Sequence, residues 1–371
     1  MTDMRILMVS TSYPRDELDW RGRFIADMAT AIAVKIDQLS LWAPPGKLPS
    51  GVTAAYSVSD KLWLEALQTR GGIAHLLRTR PFKGLVMAAT LLRRLACTYR
   101  HSNADVLHIN WLQNALSVGT NRKPALITVL GSDYRLLKIP GMVSLMRRAL
   151  KRRHAIIAPN AMWMSAQLVH HFGDLAEVRP IPFGVDARWF TIRRNPSSKP
   201  KWLAVTRLTR GKLGDLLSWG NGLFGHGREL HLFGPMQEEI ALPDWLIWHG
   251  PTHPDELANT WFPHATGLIT LSRHSEGRPQ VLLEAMAAGM PVIVSDLPAH
   301  RDVINHGQNG YIVDSCAALA EALHGAERSE VNSQLGANAR VFIHDHIGDW
   351  DQCADRYLMA YRDLIARNHA A

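Results

Sequence analysis

The chain has 371 residues, of which 47% are hydrophobic and 20% are charged. This is an ordinary composition for a globular protein, and the length predicts two or three domains. No apolar run approaches the roughly 20 residues that a transmembrane helix needs, so the sequence predicts no membrane-spanning helix.

The formal net charge of +8 is divided unevenly along the chain. Residues 1–198 hold 27 Lys and Arg against 13 Asp and Glu, whereas residues 199–371 hold 14 against 20. A basic half of this kind is expected to meet an anion. Nucleic acid, anionic lipid headgroups and a phosphorylated acceptor are the candidates.

The cysteines and the N-terminal residues bear on the compartment. Cys97, Cys316 and Cys353 are scattered without the spacing of metal ligands. The apolar part of the N-terminal segment is too short for a signal peptide and lacks a cleavage site. We therefore expect reduced thiols and a cytoplasmic location.

The first 190 residues alternate between strand and helix patterns. A strand at residues 5–10, a polar loop containing Gly22 and a helix at residues 24–34 are typical of the start of a doubly wound domain. This alternation favours an α/β domain with a parallel sheet. Further short apolar runs predict strands at residues 39–42, 104–110, 125–130 and 154–159.

Two stretches, residues 76–100 and 142–153, carry most of the basic excess. Both combine apolar residues near helical spacing with Arg and Lys on the other faces. Basic amphipathic helices can lie on an anionic membrane, or they can face the core and expose a solvated basic side. Neither stretch carries a nucleic-acid motif, so nucleic acid is not an expected partner.

A polar, proline-rich segment at residues 193–201 predicts a domain boundary. The next strand, residues 202–206, is followed at once by Arg207 and Lys212. The chain then continues through predicted strands at residues 229–234, 246–250, 267–271 and 291–294 to a final helix at residues 350–367.

Residues 267–294 read as strand, polar turn, helix and strand. Pro279 opens the helix and Gly289 closes it. The arrangement points free backbone amides and the positive end of a helix dipole at an anion such as a phosphate. Glu276 lies in the turn and Glu284 about a turn and a half inside the helix. Because carboxylates accept hydrogen bonds from sugar hydroxyls, the loop suits a nucleotide-sugar; the alternative is two solvated helix acids.

The full string around the two glutamates is more specific than their spacing. From Ser272 it reads S-x-x-S-E-G-x-P-x-x-x-L-E-A-M-A-x-G-x-P-V, which closely resembles the E-x7-E signature of retaining glycosyltransferases of family 4. Arg207 and Lys212 resemble the R-x4-K pair of the same family, and residues 181–186 resemble its I-P-N-G-V-D. The resemblance covers nearly the whole chain and is denser in the second half.

The resemblance implies the GT-B fold, in which two Rossmann-like, doubly wound parallel-sheet domains face a central cleft. Residues 1–190 would form an acceptor-side domain, with residues 350–367 packing back on it, and residues 200–349 a donor-binding domain. The implied reaction moves a sugar from a nucleotide-sugar to an acceptor hydroxyl with retention and without a metal or cofactor. Implied settings are polysaccharide, lipopolysaccharide or glycolipid synthesis, with a carbohydrate or lipid-linked acceptor and an anionic membrane surface as a peripheral partner.

The resemblance also implies roles for individual residues. Glu276 would hold hydroxyls of the donor sugar, Glu284 the ribose, and Arg207 with Lys212 the diphosphate, whose leaving charge fixed cations can stabilise. The other residues implied at the donor are Gly22, Gly277, Arg278, Pro279, Gln280, Val281, His249 and Gly250.

The first half departs from the family at one position. Residues 128–133 resemble T-x-H-G-x-D, but Leu130 stands where the family has histidine, which puts a histidine-assisted mechanism in doubt. Asp133 either contacts substrate hydroxyls, as a member of the catalytic set, or caps a helix. His108, in a strand that resembles H-x-H-W, either lines the acceptor side or is a satisfied core histidine. Two further readings stay open: a nucleotide-sugar epimerase of the same architecture, and a catalytically weakened membrane-binding relative.

Overall fold

The computed structural model describes residues 2–16, 19–119, 121–131 and 133–370. The chain divides into two compact units, residues 1–183 with 350–371 and residues 184–349. In these described ranges, no helix combines the length and the apolar character needed to cross a bilayer.

The first unit is built on a parallel sheet. Its described residues form seven strands in the spatial order β3-β2-β1-β4-β5-β6-β7. The strands are β1 (Thr2–Val9), β2 (Ile36–Trp42), β3 (Val52–Ala54), β4 (Val106–Asn110), β5 (Ala125–Val129), β6 (Ala155–Pro159) and β7 (Glu177–Val178). The helices that precede residue 183 are α1 (Arg23–Ala33), α2 (Val58–Thr69), α3 (Gly72–Thr79), α4 (Pro81–His101), α5 (Met142–Leu150) and α6 (Ser165–Phe172).

Both faces of this sheet are buried, as a parallel sheet requires. Along β1, Ile6 and Met8 pack in one layer of core residues and Leu7 and Val9 in the other. Helix α1 covers the first face, and α4, α5 and α6 cover the second. The strand order reverses between β1 and β4.

The second unit repeats this architecture. Its described residues form a parallel sheet of six strands in the order β10-β9-β8-β11-β12-β13. The strands are β8 (Lys201–Val205), β9 (Glu229–Phe233), β10 (Leu246–Gly250), β11 (Gly267–Thr270), β12 (Val292–Ser295) and β13 (Tyr311–Val313). The helices are α7 (Ala187–Phe190), α8 (Arg210–Leu213), α9 (Leu216–Gly220), α10 (Pro254–Glu256), α11 (Gln280–Ala287), α12 (Pro298–Arg301), α13 (Cys316–Glu327) and α14 (Ser329–His346).

The last helix, α15 (Trp350–His369), belongs to the first unit. It lies against α1, and Tyr357, Tyr361 and Leu364 are buried in the same core layer as that helix. The end of the chain therefore completes the first face of the first sheet.

Prolines account for two differences from the sequence-based expectations. Residues 76–100 are not one helix, because α3 ends at Thr79 and a new helix begins at Pro81. Proline has no amide hydrogen and is favoured in the first turn of a helix, where that hydrogen would be unpaired. Pro279 precedes α11 as its N-cap instead of being its first residue, and Gly289 follows the helix with a φ of 72°.

Candidate active site

In the second unit, the predicted catalytic residues follow two neighbouring strands. β8 leads into the loop that contains Arg207 and then into α8, which contains Lys212. β11 leads into the loop that contains Glu276 and then into α11. The strand order reverses between β8 and β11, and open α/β sheets bind ligands at the carboxyl ends of the strands at such a reversal.

Lys212 and Glu276 are in direct contact. The Lys212 ammonium group forms an ion pair with the Glu276 carboxylate, and the two side chains are 13% and 16% exposed. Burial lowers the pKa of Lys212, the charge of Glu276 opposes this, and the charge of Arg207 lowers the pKa further. The structure thus brings Arg207, Lys212 and Glu276 together.

The contact depends on a close approach between the two loops. Gly214, directly after α8, has a φ of 53°, and a Cβ there would lie 1.9 Å from the carbonyl oxygen of Leu271. The backbone amide of Asp215 donates to that oxygen over 3.2 Å. The Asp215 carboxylate in turn accepts from Nε of Arg273 over 2.8 Å. Glycine is therefore required at position 214 for the loops that carry Lys212 and Glu276 to meet.

The start of α11 offers backbone amides beside this ion pair. Pro279 is the N-cap, and the amides of Gln280 and Val281 have no preceding helical turn with which to bond. The side-chain amide of Gln280 donates to the Gly184 carbonyl over 2.7 Å, so it anchors the beginning of the second unit. Gly277, in the loop, is buried. The side-chain nitrogen of Gln280 is thus used within the second unit, whereas its backbone amide is one of those at the start of the helix.

Arg278 lies just before α11, and Glu284 lies within it. The Arg278 guanidinium forms an ion pair with Asp302, and the two side chains are only 5% and 6% exposed. It therefore fixes the loop to the segment after α12, and removing one partner of such a buried pair is strongly destabilising. Glu284 lies in the second turn of α11 and is half-buried.

His249 and Gly250 end β10, two strands away from β8. The exposed His249 stacks on Phe233 with 4.6 Å between ring centroids. Its Nε2 lies 2.9 Å from Nδ1 of His231, whose Nε2 lies 3.1 Å from Glu229. Burial lowers the pKa of both histidines, which keeps them neutral near pH 7. His249 thus belongs to an aromatic cluster at the edge of the described sheet, and Gly250 follows it with a φ of 76°.

His300, on α12, is a site neighbour that the sequence analysis missed. It is fully buried, and its Nδ1 lies 2.7 Å from the Ser295 carbonyl oxygen, so Nδ1 is the donor and Nε2 is left as an acceptor. Burial lowers the pKa of His300, and the charges of Glu276 and Lys212 act on it in opposite directions. A neutral histidine therefore lies beside the ion pair. No signal in the sequence separates it from an ordinary core histidine.

In the first unit, Gly22 is required by the loop between β1 and α1. It is the N-cap of α1 with a φ of 69°. A Cβ at this position would lie 2.7 Å from the backbone of Ser12 and Tyr13. A larger residue would therefore force apart the loop at the carboxyl end of β1, on one side of the strand-order reversal.

The Asp133 carboxylate is hydrogen-bonded to backbone amides of two loops. Its carboxylate oxygens accept hydrogen bonds from the amides of Leu112 and Leu130, each over 2.9 Å. The side chain is buried, and burial raises its pKa although these amides act in the opposite direction. The bond to Leu112 also fixes the chain after Trp111, whose φ of 68° is strained for a residue other than glycine. Asp133 thus holds the loops after β4 and β5 together.

His108 is a core histidine in the structure, and not a residue on a ligand-facing surface. Its Nδ1 lies 2.6 Å from the Tyr361 hydroxyl and its Nε2 lies 2.9 Å from the Thr128 hydroxyl. Burial lowers its pKa to about 3. It therefore stays neutral and ties β4 to β5 and α15.

We expect His108 to make the first unit sensitive to acid. An unfolded histidine takes up a proton near pH 6.5, whereas the folded one does so only near pH 3. The stability that depends on neutral His108 is therefore complete above pH 6.5 and is lost as the pH falls. Between pH 6.5 and 5 the loss should be about 2 kcal/mol. Hydrogen exchange of β4 amides should show a smaller loss over this range in His108→Gln; equal losses in both proteins would contradict the assignment.

The match to a family model lies within the second unit. Residues 225–342 match the family model of glycosyl transferases group 1. A D-inositol 3-phosphate glycosyltransferase of Gordonia bronchialis is 30% identical over 36% of this chain and 30% of its own length. A phosphatidyl-myo-inositol mannosyltransferase of Mycobacterium leprae is 51% identical over 23% of each chain. The chain thus spans less than a third of the length of these two relatives.

Solved structures confirm the fold over nearly the whole chain. Sucrose-phosphate synthase from Thermosynechococcus elongatus has a TM-score of 0.72 at 17% identity and covers 98% of this chain and 100% of its own. HepE from Anabaena, solved in complex with UDP-glucose, has a TM-score of 0.64 at 15% identity over 96% of this chain and 100% of its own. The predicted fold class is confirmed: the chain has two Rossmann-like parallel-sheet domains of the GT-B class.

Proposed function

We propose that this protein is a retaining glycosyltransferase of family 4, which moves a sugar from a nucleotide-sugar to an acceptor hydroxyl. The observation that carries the proposal is the cluster of Arg207, Lys212 and Glu276 at the strand-order reversal of the second unit. Two cations for a diphosphate and one carboxylate for sugar hydroxyls lie beside the amides that open α11. This combination matches the chemical parts of a nucleotide-sugar.

The ion pair suggests how the donor enters. In the structure, Lys212 and Glu276 neutralise each other. A diphosphate would take Lys212 as its own counterion, with Arg207 and the α11 amides completing its cradle. Glu276 would then be released to accept hydrogen bonds from the sugar, and Glu284 would accept them from the ribose. One exchange of partners thus prepares both halves of the donor site.

The proposed transfer requires no protein nucleophile. The bond between the anomeric carbon and the diphosphate oxygen breaks, and the acceptor oxygen bonds to that carbon on the same face. The acceptor proton passes to an oxygen of the leaving phosphate. The protein contributes by positioning the reactants and by stabilising the charge that develops on the diphosphate. Because Arg207 and Lys212 supply positive charge, we propose that the reaction needs neither a metal nor a cofactor.

We further propose a carbohydrate or lipid-linked acceptor, used in polysaccharide, lipopolysaccharide or glycolipid synthesis. The excess of Lys and Arg in residues 1–198 supports an anionic membrane surface as a partner. The protein would then act in the cytoplasm, peripherally on the inner face of the membrane. UDP-glucose, which HepE binds, is the first donor to test.

A donor screen tests the proposal. Nucleoside diphosphate release is measured over a panel of nucleotide-sugars, with and without a mixture of glycan and lipid-linked acceptors. We expect release with at least one donor, dependent on acceptor, and a product whose anomeric configuration by NMR equals that of the donor. Interconversion of the donor sugar without acceptor would indicate the epimerase instead. An inverted product would refute retention.

A further inference from the structure

The helices α3 and α4 stand out by their charge. Residues 66–104, which include both helices, hold seven Lys and Arg and not one Asp or Glu. A long stretch without any acid does not form ion pairs within itself. Arg94 pairs with Asp60 of α2, whereas Arg80 and Lys83 are exposed. Such a stretch favours an anionic partner.

The two helices form a compact hairpin, defined here as residues 72–101. Only Arg80 separates them, and its amide donates to the Leu76 carbonyl over 2.7 Å while its own carbonyl accepts from the Gly84 amide over 2.9 Å. Gly84 is buried, and a Cβ there would lie 2.7 Å from the Leu77 amide nitrogen. The turn of the hairpin is therefore held in place by backbone contacts.

Large apolar side chains cover the turn of this hairpin and point to solvent. Phe82 is 82% exposed, Leu85 62%, Val86 50% and Leu77 40%. These exposed side chains are separate from the core-facing stripe of α4, which consists of its buried residues Gly84, Leu91, Leu95 and Tyr99. A cluster of exposed apolar side chains on one element marks an interaction surface.

We propose that the hairpin docks the protein on an anionic lipid bilayer. Leu77, Phe82, Leu85 and Val86 would enter the interfacial region, while Arg80 and Lys83, both exposed, bind lipid phosphates. Exposed apolar side chains at a turn, with exposed cations among them, suit insertion into the interfacial region of a bilayer. This inference rests on the proposed membrane contact and assigns it to the hairpin. It does not depend on the transfer reaction.

Two arginines of the other basic stretch, residues 142–153, form contacts within the first unit. Arg147 forms an ion pair with Asp174 and donates to the His171 carbonyl over 2.7 Å. Arg153 is buried, and its guanidinium donates to the Ala149 carbonyl over 2.9 Å. These two arginines stabilise the fold, so the expectation that residues 142–153 present a freely available basic face is only partly met.

Co-sedimentation with vesicles tests the apolar part of the proposal. We expect the protein to bind vesicles of phosphatidylglycerol and phosphatidylcholine more strongly than vesicles of phosphatidylcholine alone. The double variant Phe82→Ser/Leu85→Ser should lower the partition coefficient at least about tenfold. The matched control Val341→Ser/Met359→Ser removes two side chains that are 59% and 60% exposed elsewhere, and it should bind as the unchanged protein does.

Charge reversal tests the electrostatic part and separates the two basic stretches. Arg80→Glu/Lys83→Glu should weaken binding and reduce its dependence on salt, because exposed charges are screened within about 8 Å at physiological ionic strength. Arg148→Glu/Arg152→Glu, on the exposed side of α5 and just beyond it, should change binding much less. Equal partition to both vesicle types, no binding to either, or a loss seen only with the α5 pair would each overturn the proposal.

A parallel measurement keeps this inference separate from the proposed function. Nucleoside diphosphate binding is measured on the same hairpin variants and should be unchanged, because the hairpin belongs to the first unit and the cations of the donor site to the second. If vesicle binding fails while nucleotide binding persists, the hairpin proposal alone is wrong. If nucleotide-sugars fail to bind while vesicles do, the transferase proposal alone is wrong.

Discussion

The double variant Arg207→Ala/Lys212→Ala should bind its nucleotide-sugar about a hundredfold more weakly than the unchanged protein. Each cation is expected to make a charge-assisted hydrogen bond to the diphosphate, and such bonds contribute about 1.5 kcal/mol or more apiece. A loss of about 3 kcal/mol corresponds to about two orders of magnitude in the dissociation constant. Isothermal titration with the donor found in the screen measures the effect.

Arg210→Ala is the matched control for this variant. Arg210 lies between the two cations in sequence and is exposed, so its removal lowers the net charge of the same segment without touching the ion pair. Its donor affinity should stay within about twofold of the original, since exposed charges contribute little. The titrations are repeated in EDTA, which should leave the affinity and the turnover unchanged. A strict requirement for Mg²⁺ or Mn²⁺ would show that a metal neutralises the diphosphate.

Glu276→Gln should lower turnover by about 10- to 100-fold. The substitution keeps the shape of the side chain but replaces a charged acceptor by a neutral one. A hydrogen bond to a charged group contributes about 1.5–3 kcal/mol, and this would be lost where the sugar is held during transfer. Steady-state release of nucleoside diphosphate gives the turnover number, and a thermal melt shows whether the fold is retained.

The ion pair adds a second, opposite expectation for Glu276→Gln. Because Glu276 neutralises Lys212 in the ion pair, its replacement leaves Lys212 available to a phosphate. Free nucleoside diphosphate should therefore bind as tightly as before or more tightly, although turnover falls. Glu239→Gln, in an exposed loop of the same unit, is the control and should change neither quantity. Unchanged turnover, or weaker diphosphate binding, would contradict the proposed role of Glu276.

The chemical parts of the proposed site could be predicted from the sequence because they lie in two short strings. The glutamates and the helix start share one stretch of strand, loop and helix, and local signals such as Pro279 and Gly289 mark its limits. The Lys212–Glu276 contact was beyond prediction, because it depends on β8 and β11 being neighbours although two strands separate them in the chain. The role of Gly214 in bringing the two loops together is hidden for the same reason.

The first unit was harder to predict at the level of side chains. His108 and Asp133 each had two open interpretations, and the partners that the structure gives them, Tyr361 and Leu112, are distant in sequence. A pattern of apolar and basic residues likewise does not separate Arg153, which is buried, from Lys83, which is exposed. Burial depends on which elements pack together. The division at Pro81 was also missed, although the proline itself indicates it.

A crystal structure of the complex with a nucleotide-sugar, or with its nucleoside diphosphate, tests the central claim most directly. We expect the Lys212 ammonium group to leave Glu276 and to lie within hydrogen-bond distance of a phosphate oxygen, beside Arg207 and the first amides of α11. With the intact donor, the Glu276 carboxylate should contact sugar hydroxyls. A diphosphate bound elsewhere, with Lys212 still paired with Glu276, would contradict the proposed donor site.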